Sequence, residues 1–260
     1  MKCRDILEKI EEVYPKSAAM SFDNVGLQAG RMEKEVKRIY LALDATDEVL
    51  HHAIERKADL LITHHPLIFS PLKSVTDQDF VSRRILTLIQ NDISYYAMHT
   101  NYDVLRMSNL AESKLHLTET CVLDETAVIQ DRVEGIGRVG QMERSMTLKE
   151  CCAYVKDALQ IEHVKAFGNL DGMVARMAVC PGSGKRTIAP AIEKGADVLV
   201  TGDIGHHDGL DAVEQGLSVI DAGHYGTEYM FMKDMEAFLR QSCPEIDVYQ
   251  EETKSPFTIL

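Results

Sequence analysis

The sequence is short of positive charge. Its 260 residues include 28 lysines and arginines against 41 aspartates and glutamates, which gives a formal net charge of −13. Nucleic-acid binding depends on clustered basic residues that neutralise phosphates, so this balance argues against a nucleic-acid partner. A nucleotide substrate stays open, because a bound metal ion can supply positive charge locally.

Long apolar runs and C-x-x-C motifs are also lacking. No apolar stretch approaches the ~20 residues of a membrane-spanning helix. The start of the chain is amphipathic rather than signal-like, so no membrane partner is expected. The six cysteines form no C-x-x-C motif, so neither a zinc ribbon nor a redox motif is indicated. Together these features predict a reduced, cytoplasmic protein.

Strand and helix patterns alternate in the first half of the chain. Apolar segments at 36–44, 59–63 and 93–98 are typical of buried strands, and helical patterns at 46–57 and 77–90 separate them. A strand–helix–strand series of this kind builds a largely parallel sheet. In an open α/β sheet, functional residues collect beyond the carboxyl ends of the strands.

The second half repeats part of the first. Residues 53–63 and 191–201 are identical at seven of eleven positions, at a constant offset of 138 residues. A helix that runs into a buried strand is a common unit, so chance similarity is the alternative to duplication. The expected fold is α/β, with two related lobes that have largely parallel sheets and offer strand ends to a shared cleft. The polar, Gly-containing stretch 118–145 marks the expected boundary, with lobes at residues 1–125 and 126–260.

Two adjacent histidines, His64 and His65, follow the strand at 59–63 and precede Pro66. Side chains alternate along a strand, so one ion could not easily take both histidines from regular strand geometry. Pro66 biases His65 toward an extended conformation past the strand end, and two diverging imidazoles could then serve two neighbouring metal ions. A turn with two exposed histidines is the alternative for this pair taken alone.

Three further donors lie after other predicted strands. His224 and Glu228 are four residues apart at the start of a predicted helix, which places both on one face if they share its first turn. A histidine at a helix start with a first-turn glutamate, favoured by the helix dipole, is the alternative. Asp103 follows the strand at 93–98 and could instead cap the next helix. Taken together, five nitrogen and oxygen donors past strand ends suit two divalent cations in the cleft between the lobes.

Five motifs resemble those of the NGG-interacting-factor family, whose bacterial members are usually labelled GTP cyclohydrolase 1 type 2 homologues. In chain order they are D-N-V-G-L-Q at 23–28, T-H-H-P at 63–66, H-T-N-Y-D at 99–103, G-D-I-G-H-H-D at 202–208 and G-H-Y-G-T-E at 223–228. The resemblance covers nearly the whole chain, and the length matches the short family form without the inserted central domain. Phe22 stands where the family often has tryptophan, and Pro181 stands where a glycine is usual.

The resemblance implies a dinuclear metal centre with two divalent metal ions per subunit and with Glu228 shared by both ions. The ligands it implies are His64, His65, Asp103, His224 and Glu228. Mixed histidine and carboxylate donors suit Zn, Fe, Mn or Co alike. The resemblance also implies a homohexamer, a ring built from dimers.

These features predict a metal-dependent hydrolase, in which metal-activated water attacks a nucleotide or related small molecule and His99 is the candidate catalytic base. The family label suggests GTP, although no guanine pocket is visible in the sequence. The alternative is a metal-binding, metal-delivery or regulatory scaffold protein without turnover. For two further features, the sequence leaves two interpretations open. The loop 182–185 can be a tight turn or an anion cradle, and Asp203, His206 and His207 can support the site or lie at the surface.

Overall fold

Eleven β-strands in two sheets form the frame of the computed structural model, which describes residues 1–259. In chain order the strands are β1 Gly26–Ala29, β2 Arg38–Ala42, β3 Leu60–Thr63, β4 Ser94–Ala97, β5 Thr118–Ile129, β6 Arg132–Thr147, β7 Lys165–Phe167, β8 Met173–Ser183, β9 Val198–Gly202, β10 Ser218–Asp221 and β11 Asp247–Gln250. The helices are α1 Cys3–Val13, α2 Asp47–Glu55, α3 Phe80–Gln90, α4 Thr100–Tyr102, α5 Ser108–Lys114, α6 Leu148–Leu159, α7 Ile188–Glu193, α8 His206–Glu214, α9 His224–Glu228 and α10 Met230–Ser242. Within residues 1–259, none of the helices has the length and apolarity needed to cross a membrane.

The chain divides into two units. The first consists of Met1–Tyr102 and Tyr229–Lys254, and the second consists of Asp103–Glu228 with the residues from Ser255 onward. This division differs from the expected boundary between residues 125 and 126. That point lies inside β5, which pairs with β6 and therefore belongs to the second sheet. The chain returns to the first unit at Tyr229 because β11 pairs with β2.

The sheet of the first unit has the order β1-β4-β3-β2-β11. The neighbouring strands from β4 to β11 are parallel, and β1 is antiparallel to β4. The largely parallel sheet predicted for the first half is therefore confirmed. Its register places Ala42, Thr63 and Ala97 side by side at the carboxyl ends of β2, β3 and β4, so the residues that follow these strands share one edge.

Helices cover both faces of this sheet. On one face, side chains such as Leu61 and Tyr95 form a core with residues of α2 and α3. On the other face, the Tyr96 hydroxyl donates to the Glu11 carboxylate of α1 at 3.2 Å, and α10 contacts β2 and β11. All four residues of β3 are buried, as expected of a strand that is covered on both sides.

The sheet of the second unit is mixed, with the order β5-β6-β8-β9-β10-β7. Its central strands β8, β9 and β10 are parallel neighbours, but the other three neighbouring pairs are antiparallel. The prediction of a largely parallel second sheet was wrong. The stretch 118–145, predicted as a polar boundary, forms the antiparallel β5–β6 hairpin. Its polar composition is typical of antiparallel strands with one face in solvent.

Matching contacts in the two units support the duplication inferred from the repeat. The Asp59 carboxylate accepts the backbone N–H groups of Lys37 and Arg38 at 2.8 and 3.0 Å. The corresponding Asp197 carboxylate accepts those of Ala175 and Arg176, both at 2.8 Å, at the same offset of 138 residues. In each unit an aspartate at the start of a buried strand thus anchors the neighbouring parallel strand.

Candidate metal centre

Three histidines of the first unit lie past the carboxyl ends of neighbouring parallel strands. His64 and His65 follow β3, and His99 follows β4 with one residue between. One ring nitrogen from each of the three lies within 4.8 Å of the others. The sheet register therefore brings together the His-His pair and the candidate catalytic base, as strand ends of an open α/β sheet do.

The orientation of His64 is fixed by burial and by one hydrogen bond. The residue is fully buried, and its ring lies 5.3 Å from that of Phe231 and 6.2 Å from that of Tyr102, centroid to centroid. Its Nδ1 is 2.8 Å from the carbonyl oxygen of Met98. A carbonyl oxygen can only accept, so Nδ1 carries the proton. In the neutral ring, Nε2 is then the atom with a lone pair for a metal ion.

Carboxylates orient the other two histidines in the same way. The Nδ1 of His65 is 2.8 Å from Oδ1 of Asp44, which follows β2 at the same sheet edge. The Nδ1 of His99 is 2.9 Å from Oδ1 of Asp23, in the loop before β1. These carboxylates hold the proton on Nδ1 of each ring. Nε2, on the other side of the ring from the carboxylate, is then the nitrogen with a lone pair.

Asp23 is held in its ionised form. Burial opposes its charge, but hydrogen bonds from His99 and from the backbone and side chain of Thr100 outweigh burial and lower the pKa of Asp23 to about 2. The Thr100 contacts measure 2.9 Å from the backbone nitrogen and 2.5 Å from the hydroxyl. His99 therefore faces a permanent negative charge at neutral pH.

The second unit has its own donor group at the edge where β8, β9 and β10 end. Register places Thr201 beside Asp221 and Ser183 beside Gly202. Helix α9 starts three residues beyond β10 with His224 and ends with Glu228, one turn later. The Nε2 of His224 lies 3.0 Å from Oε2 of Glu228, so both side chains share one helix face as predicted.

The fourth histidine repeats the orientation of the other three. The Nδ1 of His224 is 2.6 Å from Oδ2 of Asp203. Burial favours the neutral ring, but the Glu228 and Asp203 carboxylates on either side outweigh burial and raise the pKa of His224 to about 9. The proton on Nε2 thus sits where a cation is electrostatically favoured, and a divalent ion can replace it.

Asp103 lies beside this pair. One of its carboxylate oxygens is within 4.8 Å of one from Glu228. It opens the π-helical segment Asp103–Met107, which runs on from α4. The alternative role as an N-terminal cap is not what the structure shows, because Asp103 lies inside this helical run. Short π-helical segments occur frequently at functional sites.

Gly182 leaves room for the Glu228 carboxylate. A Cβ atom on Gly182 would overlap Oε1 of Glu228, and its φ of +71° is in the region that favours glycine. Its backbone N–H donates to the Thr227 hydroxyl at 2.9 Å, and the N–H of Gly184 donates to the Gly202 carbonyl. These amides are engaged within the protein, which favours the tight turn over the anion cradle for the loop 182–185.

The sequence indicates the candidate donors but not all of the side chains that orient them. No motif marks Asp44, although it stands at the end of a predicted strand beside the one that carries His65. Asp23 belongs to the D-N-V-G-L-Q motif, but the sequence does not show that its partner is His99. Asp203, kept open as a supporting residue, contacts His224, whereas the histidines at 206 and 207 are exposed at the start of α8.

The donor chemistry fits divalent metal ions. All four histidines present Nδ1 to an oxygen acceptor, which is the arrangement that outer ligands give to metal-binding histidines. The two carboxylates of the second unit supply oxygen donors of negative charge. Such a set suits Zn, Fe, Mn or Co.

Fold and donors together define an α/β protein with two sheets and with histidine and carboxylate groups able to bind metal. The profile of the Duf34/NIF3 (NGG1p interacting factor 3) family matches residues 1–256. The chain belongs to this family, which confirms the resemblance found in its motifs.

Relatives and solved structures agree with this assignment. A GTP cyclohydrolase 1 type 2 homolog of Clostridium perfringens is 34% identical, over 100% of both chains. Another of that name, from Methanocaldococcus jannaschii, is 34% identical over 92% of this chain and 95% of its own length. Among solved structures, a Bacillus cereus protein related to NIF3 superposes with a TM-score of 0.91 at 26% identity, covering 100% of this chain and 99% of its own. Reduced HcgD from M. jannaschii superposes with a TM-score of 0.82 at 31% identity, covering 96% and 97%.

Proposed function

We propose that this protein is a metal-dependent hydrolase that binds two divalent metal ions. The proposed ligands are His64, His65, Asp103, His224 and Glu228. The observation that supports this most strongly is the shared orientation of the histidines: each directs Nδ1 to an oxygen acceptor, so Nε2 is the nitrogen that can bind a metal ion, in His224 after loss of the proton that it shares with Glu228. Histidines that merely filled space or lay at the surface would not need the same tautomer.

When bound by these residues, divalent ions would supply Lewis acidity toward substrate oxygens and would lower the pKa of a water molecule toward neutrality. The protein side chains supply the rest. Glu228 is a carboxylate with both oxygens in a buried setting, so it can be shared between two ions. Gly182 leaves space for the carboxylate because it has no Cβ, and helix α9 holds the backbone from which the side chain extends.

His99 is proposed as the general base. Asp23 keeps the Nδ1 proton in place, so the neutral ring can accept a proton at Nε2, and the imidazolium that forms is stabilised by the same carboxylate. The imidazole side chain is partly accessible, with 19% of its surface exposed. A base needs this access to exchange its proton with water after each turnover.

The proposed substrate is a nucleotide or a related small molecule. The relatives named GTP cyclohydrolase 1 type 2 homolog point to GTP as the first compound to test. The strongly acidic chain would repel a nucleotide phosphate, and bound divalent ions would supply the missing positive charge.

The family resemblance also supports a homohexamer, a ring of dimers, as the proposed assembly. Light scattering on the purified protein tests it directly, since a hexamer has six times the mass of the 29.1 kDa chain. The six cysteines are free thiols, which supports the cytoplasm as the proposed location.

Turnover by the metal-loaded protein tests the hydrolase proposal. GTP, cyclic and linear phosphodiesters and small amides would be incubated with the wild type, with Glu228→Gln and with His99→Ala. We expect hydrolysis of at least one class by the wild type and its loss in both variants, with metal retained in His99→Ala. No turnover above Glu228→Gln would reject the hydrolase and favour a metal-binding or metal-delivery protein. Loss of metal in His99→Ala would make His99 a ligand instead of the base.

A further inference from the structure

Two phenylalanines of the first unit are presented to solvent side by side. Phe22 is 56% exposed and Phe69 is 52% exposed. Their ring centroids are 6.3 Å apart and their planes are inclined by 42°. We call this pair the Phe22–Phe69 platform. Large apolar side chains grouped on a surface usually mark a binding site, since each would gain free energy by burial.

The loop that carries Phe69 is fixed by hydrogen bonds. The Tyr95 hydroxyl accepts the backbone N–H of Leu67 at 2.9 Å. The Gln28 amide accepts the N–H of Ile68 at 2.8 Å and donates to its carbonyl at 3.2 Å, and Asn24 donates to the same carbonyl at 2.6 Å. Ile68, the residue just before Phe69, is therefore held at both its backbone N–H and its carbonyl oxygen.

The loop that carries Phe22 is fixed in a similar way. The backbone N–H of Met20 donates to the Thr100 hydroxyl at 2.9 Å. Asp23 accepts from the backbone and side chain of Thr100 and from His99. Met20, two positions before Phe22, and Asp23, the next residue after it, are thus anchored to the segment that follows β4. The polar residues of the D-N-V-G-L-Q motif at 23–28 hold these two loops in place. The phenyl rings that the loops carry do not pack in the core.

The platform adjoins the histidine cluster. The ring of Phe69 lies 6.4 Å from that of His99, centroid to centroid, at an angle of 69°. His99 in turn has a ring nitrogen within 4.8 Å of those of His64 and His65. A ligand resting on the platform would therefore have its next group beside the proposed base and the metal donors.

We propose that the Phe22–Phe69 platform binds a flat heteroaromatic ring, such as a nucleobase, by stacking. A flat ring stacked on one phenyl face is inclined by 42° to the other phenyl, so it can stack on the first ring and contact the second. Both loops are fixed before the ligand arrives, so little ordering opposes binding. The inference rests on the proposed function in one respect: the ring belongs to the compound that the metal site acts on.

Calorimetric titration of the full-length, metal-loaded protein tests the proposal. The probes are guanosine 5′-monophosphate, adenosine 5′-monophosphate and ribose 5-phosphate, which keeps the sugar phosphate and lacks the ring. We expect the two nucleotides to bind more tightly than ribose 5-phosphate. Phe22→Ala and Phe69→Ala should each weaken nucleotide binding by about tenfold, as loss of an aromatic stacking partner does, and leave ribose 5-phosphate unaffected.

Phe80→Ala is the matched control, because Phe80 is equally exposed at 56% but stacks on Arg84 at the start of α3. Phe22→Trp keeps an aromatic face and should keep nucleotide affinity. Metal content and mass by light scattering are measured for every variant. We expect wild-type values for both in the two platform variants.

Three results would overturn the proposal: equal affinity for ribose 5-phosphate and the nucleotides, no binding of any probe, or platform variants that behave like Phe80→Ala. A changed oligomeric mass in the platform variants, with unchanged affinity, would assign the pair to an interface between copies and also overturn it. The outcome is separable from that of the hydrolase proposal. Ring-dependent binding without turnover supports the platform and rejects the hydrolase, whereas turnover with the same KM in all variants does the reverse.

Discussion

At the scale of single residues, the site depends on the hydrogen-bond acceptor that contacts Nδ1 of each imidazole. His65 and His224 point Nδ1 at exposed aspartates, Asp44 and Asp203, that follow neighbouring strands of their own sheets. Such outer partners fix the tautomer and raise the basicity of the ligand atom. This orienting role accounts for two aspartates at strand ends, where they make no contribution to the core.

Replacing Asp44 tests this role. Asp44→Ala frees His65 to change tautomer and ring orientation, so metal affinity should fall about tenfold or more, as seen for partners of metal ligands. Competition with a chromophoric chelator measures the affinity. Asp77→Ala, in the exposed loop before α3, is the control and should bind metal as the wild type does. Equal affinities in the two variants would show that Asp44 does not position His65.

Gly182 allows a second test at this scale. Gly182→Ala places a methyl group onto the Glu228 carboxylate, so metal affinity should fall by about tenfold or more. Gly195→Ala is closely matched, because its φ of +69° carries the same backbone strain as the +71° of Gly182 while its Cβ meets nothing within 4 Å. Both variants should lose about 1 kcal/mol of stability from that strain. An unchanged metal affinity in Gly182→Ala would show that Glu228 can shift without consequence.

The sequence predicts candidate donors because polar, metal-binding residue types follow apolar runs, at His64, His65, His224 and Glu228. It did not predict which acceptor serves which ring, since that depends on the strand order. Asp44 becomes a neighbour of His65 through the parallel pairing of β2 with β3. Sequence alone predicts that such a sheet exists but leaves the register open.

At the scale of elements, the repeated aspartate holds each pair of parallel strands. Asp59→Ala and Asp197→Ala each leave two backbone N–H groups of the adjacent strand without their charged acceptor. Each variant should lose about 2–3 kcal/mol of stability. Urea unfolding measures the loss, and Asp171→Ala in the exposed turn before β8 is the control. A loss in Asp59→Ala without one in Asp197→Ala would show that the two contacts are not equivalent.

The end of β11 is tied to α2 by an ionisable contact. The Nδ1 of His52 lies 3.0 Å from Glu251, and the hydrogen bond to this carboxylate is the main cause that raises the pKa of His52. The pKa of the folded state is above that of the unfolded chain. The stabilisation is therefore complete below about pH 6.5 and is lost as the pH rises through the folded-state pKa. Both side chains are partly exposed, so the effect is small.

Urea midpoints at pH 6 and pH 8 check this pH dependence. The wild type should lose more stability between the two values than His52→Gln, which keeps the size and polarity of the side chain but does not titrate. Tyr40 still donates to Glu251 in the variant, so the strand keeps its second contact. An identical change in both proteins would show that His52 does not contribute to the pH dependence of stability.

Elements were predicted well where their residues are buried on both faces, and less well elsewhere. The strands β2, β3 and β4 have unbroken apolar runs, which a sequence shows directly. The β5–β6 hairpin has a largely solvent-exposed face and an irregular register, with shifts near Thr118 and Glu125. Its mixture of polar and apolar residues resembles a linker. The position of β11 beside β2 depends on a contact between the two ends of the chain, which no local pattern encodes.

At the scale of the whole molecule, the central proposal is that five side chains, His64, His65, Asp103, His224 and Glu228, bind a pair of metal ions. The sequence supports it through motifs that span the chain, and each unit supports it with its own set of oriented donors. The region that matches the family profile, residues 1–256, includes all five of these residues. Metal stoichiometry is therefore the property that tests the proposal most directly.

Metal content of the purified, metal-loaded protein measured by inductively coupled plasma mass spectrometry is the most direct test. We expect two divalent ions per chain, with less bound metal in His64→Ala, Asp103→Ala, His224→Ala and Glu228→Gln. Glu162→Gln, whose side chain is 92% exposed, should keep both ions. A wild-type protein that binds no divalent metal, or ligand variants that retain as much metal as Glu162→Gln, would contradict the proposal.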